Sequence, residues 1–454
     1  NLHLRYSTEE LFLISPLFFG FSEMKNCIHC GFENAKINTF CIKCGQKNNF
    51  QKLAIEETQS LNPRFHGLDA LRGFAMLLGI VLHAALPYMN IGDLWPSDNS
   101  SSHVIKVIFE FIHIWRMPLF FVLAGFFANL IVSQKTWKSW YKNRFLRIFL
   151  VAIIFIPVMS LTIPWIFAYG KSGEILFFYS NEGQPHHLWF LWHLIIIGTF
   201  VAILRFIYVQ FLRLRNILNR MGLSFVGNIL HKCRFILSVV LFRSKVPFAL
   251  IVLLFLINIP MQGELIANPI ATGLYFSLGF SLYGNSSLFE FLKSHSQYYF
   301  FVGFTGFVIL MFLQFNNQIL DIYAFDETVS GKGYWELISE AFLHLSVLLK
   351  IICAILFSYA FIGLAESRFS AYSSKLRFVS DGSYWIYLIH LPVVSFLTFS
   401  MFKIPVWIEI KFLLAIIVSA IIGLITYKYL VRSTLIGVLL NGKRISFNKT
   451  EWFK

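Results

Sequence analysis

Asp69-Ala70-Leu71-Arg72-Gly73-Phe74-Ala75-Met76-Leu77-Leu78-Gly79-Ile80-Val81-Leu82-His83 is apolar enough to begin a membrane-spanning helix, yet it carries an acid, an arginine and a histidine. A charge inside a bilayer costs at least a few kcal/mol, so such residues need a partner or a function. Arg72 and His83 stand eleven positions apart. At about 100° per residue they fall within about 20° of one face of a helix, about 16 Å apart along its axis. One stripe therefore presents a fixed cation at one end and an imidazole at the other.

The whole chain fits that reading. It has 454 residues, 57% hydrophobic and 13% charged, with 52 phenylalanines and a mean hydropathy of +0.66. A soluble domain carries about 25% charged residues. The expected fold is an all-α polytopic membrane protein. Spans need about 20 apolar residues, and ten candidates lie near 68–90, 105–132, 147–169, 188–209, 246–262, 268–284, 297–318, 338–364, 383–402 and 410–432. The sixth is the weakest, being short and rich in Gly and Ser.

The net charge of +15 is sorted by side. Lys135, Lys138, Lys142, Arg144 and Arg147 follow the second span, and Arg205, Arg213, Arg215, Arg220, Lys232, Arg234, Arg243 and Lys245 follow the fourth. Arg368, Lys375 and Arg377 follow the eighth, while the alternate loops hold Asp93, Asp98, Glu174, Glu182, Asp321, Asp326 and Glu327. The positive-inside rule then places both termini in the cytoplasm. Basic charge spread along one membrane face does not point to nucleic acid as a partner.

Ahead of the spans, Cys27-x-x-Cys30 and Cys41-x-x-Cys44 lie ten residues apart, with Gly31 and Gly45 after each pair. Four thiolates on two tight turns suit a structural Zn2+, with two disulfides or a redox pair as the alternatives. The domain reading is an extension over 1–23, apolar around Leu11 to Phe21; a zinc ribbon over 24–46; a linker over 47–63; a membrane domain over 64–434; and a basic tail over 435–454. A ribbon in the cytoplasm also offers a docking point for a protein partner.

Several polar residues sit where lipid disfavours them. His83 has a side chain whose ordinary titration lies near neutrality, which suits a general base; the bland alternative is an interfacial histidine. Arg72, with Asp69 beside it, reads as part of the same site or as a snorkelling anchor. Glu110, His113 and Arg116 recur at three-residue steps in the outer half of the second span. Arg116 is deep enough to need a partner, and Glu110 or a carboxylate of an outer loop is the obvious one. Pro118 weakens the helix there and frees backbone carbonyls.

These residues carry a resemblance. Asp-x-Leu-Arg72-Gly with ten residues between Arg72 and His83, the run Arg116-Met-Pro-Leu-Phe-Phe-Val-Leu-Ala-Gly-Phe-Phe, Arg144-x-x-Arg147, His187-Leu-Trp189-Phe-Leu and Ser383-x3-Tyr387-x2-His390-Leu-Pro resemble the motifs of the acyltransferase-3 family of membrane acyltransferases. The matches run from about residue 64 to 430, and their wording is nearest a branch linked to succinylation of periplasmic glucans. The ribbon is not part of that pattern. The resemblance implies a bacterial inner-membrane O-acyltransferase that moves an acetyl or succinyl group from cytoplasmic acyl-CoA to a carbohydrate hydroxyl on the far side. It implies His83 with Arg72 and Asp69 as catalytic residues and Arg144 and Arg147 on the CoA phosphates, where guanidinium forks fit. Arg116, His113, Glu110, His187, Trp189, Tyr387 and His390 are then candidates for substrate binding. A rival function is a transporter or exporter whose polar residues line a solute path.

Overall fold

The computed structural model describes residues 24–27, 33–35, 50–51, 65–92, 95–177, 186–220, 225, 246–261, 268–325 and 332–442. Three short strands come first: β1 (Met24–Cys27), β2 (Glu33–Ala35) and β3 (Phe50–Gln51). They form one antiparallel sheet in the order β2-β1-β3. Residues 1–23, the side chain of Cys27, Cys30, Cys41, Cys44, most of the 47–63 linker and the tail beyond 442 lie outside what the structure describes.

The rest of the described chain is helical: α1 (His66–Ala85), α2 (His103–Gln134), α3 (Trp137–Arg144), α4 (Leu150–Ser172), α5 (Trp189–Arg220), α6 (Val246–Met261), α7 (Pro269–Tyr283), α8 (Ser286–Ser294), α9 (Ser296–Phe325), α10 (Lys332–Arg368), α11 (Ser374–Ser400), α12 (Ile408–Thr426) and α13 (Leu435–Asn441). Eight stretches among the described residues are long and apolar enough to cross a bilayer: α1, α2, α3 with α4, α5, α9, α10, α11 and α12. Eight of the ten expected spans are thus matched among the described residues. The fifth and sixth candidates fold as α6 and α7, with 16 and 15 residues, about 23 Å of helix each. The bounds of α7 have local causes. The Asn268 side chain accepts from Ile270 N–H at 2.9 Å with Pro269 in the first turn, and Asn285 caps the next helix through Leu288 N–H at 3.1 Å.

Side-chain size sets how closely the helices approach. In lipid, association of helices rests on packing rather than on dehydration, so small residues mark the contacts. A Cβ on Gly125 of α2 would overlap the Phe276 carbonyl of α7, and one on Gly279 of α7 would overlap the Val122 carbonyl of α2. The short helix α7 is thus locked onto α2 backbone to backbone.

Helix α1 occupies the centre, packed against α2, α10, α11 and α12. Its buried face carries Leu68, Leu71, Ala75, Met76, Ile80 and Leu82, while Phe74 points outward. Its first turn lacks a side-chain cap of its own. Instead Glu366 of α10 accepts from Leu68 N–H at 2.8 Å, which satisfies a helix-end donor and complements the positive end of the dipole. Helices α1 and α11 run parallel: Arg377 pairs with Asp69, Ser380 lies against Gly73, and His390 lies against Gly79. That register carries residues of α11 to both ends of the α1 stripe.

Candidate active site

At the far end of α1 three imidazoles meet. The rings of His83 and His390 are 5.1 Å apart, His187 and His390 5.0 Å, and His83 and His187 6.4 Å. His390 comes from the middle of α11, and His187 from the 3-10 turn (His186–Leu188) that leads into α5. The main-chain carbonyl of Tyr387 organises two of them, lying 2.7 Å from His390 Nδ1 and 3.1 Å from His187 Nε2. A carbonyl only accepts, so both of those nitrogens carry protons in the neutral rings, and His390 Nε2 and His187 Nδ1 hold the lone pairs. Both, together with His83 Nδ1, are buried without a hydrogen-bond partner. The Tyr387 hydroxyl donates to the His187 carbonyl at 2.9 Å, so the pair is strapped in both directions and that hydroxyl is committed to the protein.

Arg116 reaches the same place. It is 6% exposed, its Nε has no hydrogen-bond partner, and its guanidinium lies 5.9 Å from the Phe120 ring. The expected pairing with Glu110 is not formed: among the described residues no carboxylate stands in ion-pair range of Arg116. The reason is helical geometry. Glu110 lies nearly two turns toward the helix start, on a half-buried position, whereas Arg116 faces the imidazoles. Gly79 makes this approach possible, since a Cβ there would lie 3.1 Å from His390 Nε2 and 3.6 Å from both Arg116 Nη atoms. His113 is half-buried one turn before Arg116 and stacks on Phe109 at 5.1 Å. Trp95, from the loop after α1, stacks on His83 at 5.9 Å and closes that side.

The other end is built differently. Asp69 accepts from Arg377 at 3.1 Å and lies 3.4 Å from Arg72; Arg377 also grips Asp381 at 2.8 and 3.0 Å. These carboxylates border a cavity of about 300 Å3 whose wall includes Arg72, Arg144, Arg147 and Tyr384. Arg144 ends α3, and Arg147 lies in the π-turn (Phe145–Phe149) that joins α3 to α4. Such a turn widens the helix by one residue and re-aims side chains. Arg147 Nη2 donates to the Asn441 carbonyl at 2.8 Å, Tyr384 donates to the Arg147 carbonyl, and Arg144 Nε is buried without a partner. Residues 435–441, which the sequence assigns to the tail, form α13, and its Leu440 and Asn441 line the cavity. Met76, Phe120 and Phe190 form its inner wall. Phe190 packs on Phe120 at 5.4 Å and on Tyr387 at 6.1 Å, so this apolar layer separates the arginines from the imidazoles.

The profile of an acyltransferase domain matches residues 65–427, which hold both ends of α1 and every residue of the imidazole cluster. The chain belongs to this acyltransferase family. Among curated proteins it is 24% identical over 397 residues to glucans biosynthesis protein C of Escherichia coli K12, covering 84% of this chain and 95% of that protein. The protein of the same name from Shigella dysenteriae serotype 1 is similar to the same extent. No solved structure matches.

In this acyltransferase the sequence motifs converge in two groups rather than one. His83, His187, His390 and Arg116 meet at one end of α1; Asp69, Arg72, Arg144 and Arg147 meet at the other. Trp189 belongs to neither, since it packs edge-on against His193 at 5.1 Å. Arg377, Asp381, Gly79 and Trp95 were not singled out from the sequence. Arg377 is hidden there among other basic loop residues, and Trp95 among aromatic ones. Gly79 sits four residues before His83 on the same helical face, and that spacing was a readable signal.

Proposed function

We propose that the protein is an inner-membrane O-acyltransferase of bacterial type, with both termini cytoplasmic. It takes an acetyl or succinyl group from cytoplasmic acyl-CoA at the Arg72 end and delivers it to a carbohydrate hydroxyl at the His83 end. The observation that supports this best is the pairing of an arginine-walled cavity with a set of unpartnered imidazole nitrogens at opposite ends of one helix. Arg144, Arg147 and Arg72 suit the phosphates of CoA. The apolar layer of Met76, Phe120 and Phe190 suits the pantetheine arm, which must pass it to bring the thioester to the imidazoles. The printed name of the Escherichia coli relative supports a glucan as acceptor.

In the reaction the hydroxyl oxygen attacks the thioester carbonyl, and a C–O bond forms. The hydroxyl proton passes to His83 as general base. The tetrahedral oxyanion is held by Arg116, a preset donor in a water-poor site. Collapse breaks the C–S bond, and His83 returns the proton to the leaving sulfur as CoA–SH. His113 and Glu110 lie on the side from which the acceptor arrives. Cys27, Cys30, Cys41 and Cys44 would hold a structural Zn2+, and the ribbon would offer a cytoplasmic partner a surface.

Mass spectrometry of envelope glycans from cells with and without the gene tests the function, and His83→Ala tests the base. Acyl esters absent without the gene and with the inserted His83→Ala protein are expected; unchanged acylation in the variant overturns the mechanism. Release of CoA by purified protein separates acyl transfer from transport. For the ribbon, about one zinc per chain is expected by elemental analysis, lost in Cys41→Ser with transfer retained.

A further inference from the structure

We infer that His390 is a positioning residue: its Nε2 accepts a hydrogen bond from His83 Nδ1–H and thereby leaves His83 Nε2 as the basic nitrogen. The inference rests on the reading of His83 as the base.

The Tyr387 carbonyl accepts a hydrogen bond from His390 Nδ1–H at 2.7 Å, which fixes the His390 tautomer and leaves the lone pair on Nε2. That nitrogen is buried and unpartnered, and so is His83 Nδ1. A buried atom left unsatisfied destabilises the fold, and one bond between them satisfies both. The distance suits it. An N–H···N contact of about 2.9 Å places two imidazole centres about 5 Å apart, and the rings stand at 5.1 Å with a tilt of 49°. A rotation of the rings closes the bond, as is common when catalytic hydrogen bonds tighten only with substrate in place. His187 does not compete, because its ring is 6.4 Å from His83. Gly79 leaves the gap open, since a Cβ there would crowd His390 Nε2 at 3.1 Å.

The consequence is a chain from the His83 base through His390 to the Tyr387 carbonyl. Its logic is that of any base held in one tautomer by a third group. Of the two His83 nitrogens only Nδ1 is sealed without a partner, so the other is the one left to meet a hydroxyl. Arg116 is the rival donor to His390 Nε2, as its Nη atoms border the same Gly79 space.

The test is nitrogen-15 solid-state NMR of the full chain, labelled at histidine, in lipid. The His83 signals are assigned by their loss in His83→Ala. A protonated Nδ1 and an unprotonated Nε2 on His83 are expected in the wild type. His390→Gln, whose amide oxygen can take the place of the ring Nε2, should keep that tautomer and stay within about tenfold of wild-type kcat; His390→Leu should lose both, with kcat down about 100-fold or more and acceptor KM little changed. A protonated Nε2 on wild-type His83, as expected if Arg116 occupies His390, overturns the inference. So does a Leu variant as active as the Gln variant. An active His83→Ala protein would instead defeat the base assignment, and the tautomer measurement would still stand alone.

Discussion

The two ends of α1 handle charge in opposite ways. At the Arg72 end the carboxylates of Asp69 and Asp381 share Arg377, with Arg72 beside them. At the His83 end Arg116 is buried with no carboxylate near it among the described residues, and three imidazole nitrogens have no partner. A paired cluster is satisfied by the protein itself. An unpaired cluster is tolerable only if the missing partner comes from outside, because an isolated buried charge is among the most costly groups in a fold. The contrast separates Asp69, Arg377 and Asp381, which hold helices together, from Arg116 and the imidazoles, which wait for a ligand; Arg144, whose Nε is buried without a partner at the Arg72 end, belongs with the second group.

Substitutions can break this contrast. The largest effect is expected from Arg116→Met. Loss of one preset oxyanion donor costs about 100- to 1,000-fold in kcat, yet removing an unpaired buried cation should leave the thermal midpoint in detergent unchanged or raised. A large fall in that midpoint would mean that Arg116 is structurally paired after all. Next is Arg144→Ala, in the wall of the cavity. The loss of one charge-assisted contact of about 1.5 kcal/mol should raise the KM for acyl-CoA about tenfold with kcat nearly kept. A fall in kcat alone would place Arg144 outside donor binding. The smallest effect belongs to Asp69→Asn. It removes one charge from a largely buried network, so a loss of about 1–3 kcal/mol of stability is expected, seen as a shift in unfolding. A collapse of folding would show that the paired end carries more of the structure than its exposure suggests.

Much of this was legible in the chain. Apolar runs of 20 or more residues force helices, because lipid offers no other partner for backbone groups. The run over α7 gives a helix shorter than a full span, since hydropathy reports lipid compatibility and not length between caps. Asn268 and Asn285 end the helical stretch by capping geometry, which a hydropathy count does not weigh. The site was half legible. Arg72 and His83 stood out because eleven residues of helix place them on one stripe, a local property. Glu110 was the wrong partner for Arg116 because sequence proximity suggested a pair that the facing helices do not allow. Tyr387 looked like a substrate contact, whereas its hydroxyl serves His187 and its carbonyl serves two imidazoles.

The sequence by itself determined a membrane-embedded helical protein, the stripe on α1 and the motif order of an acyltransferase. Those follow from local rules: hydropathy, the helical repeat and the identity of residues at fixed spacing. Only the tertiary structure decided that the motifs divide into two sites about 16 Å apart along α1, that Arg377 closes one of them, and that Gly79 lets His390 and Arg116 converge on His83 in the other. Those depend on the parallel register of α1 against α11 and on where a missing Cβ lets backbones meet. Such facts belong to pairs of helices far apart in the chain.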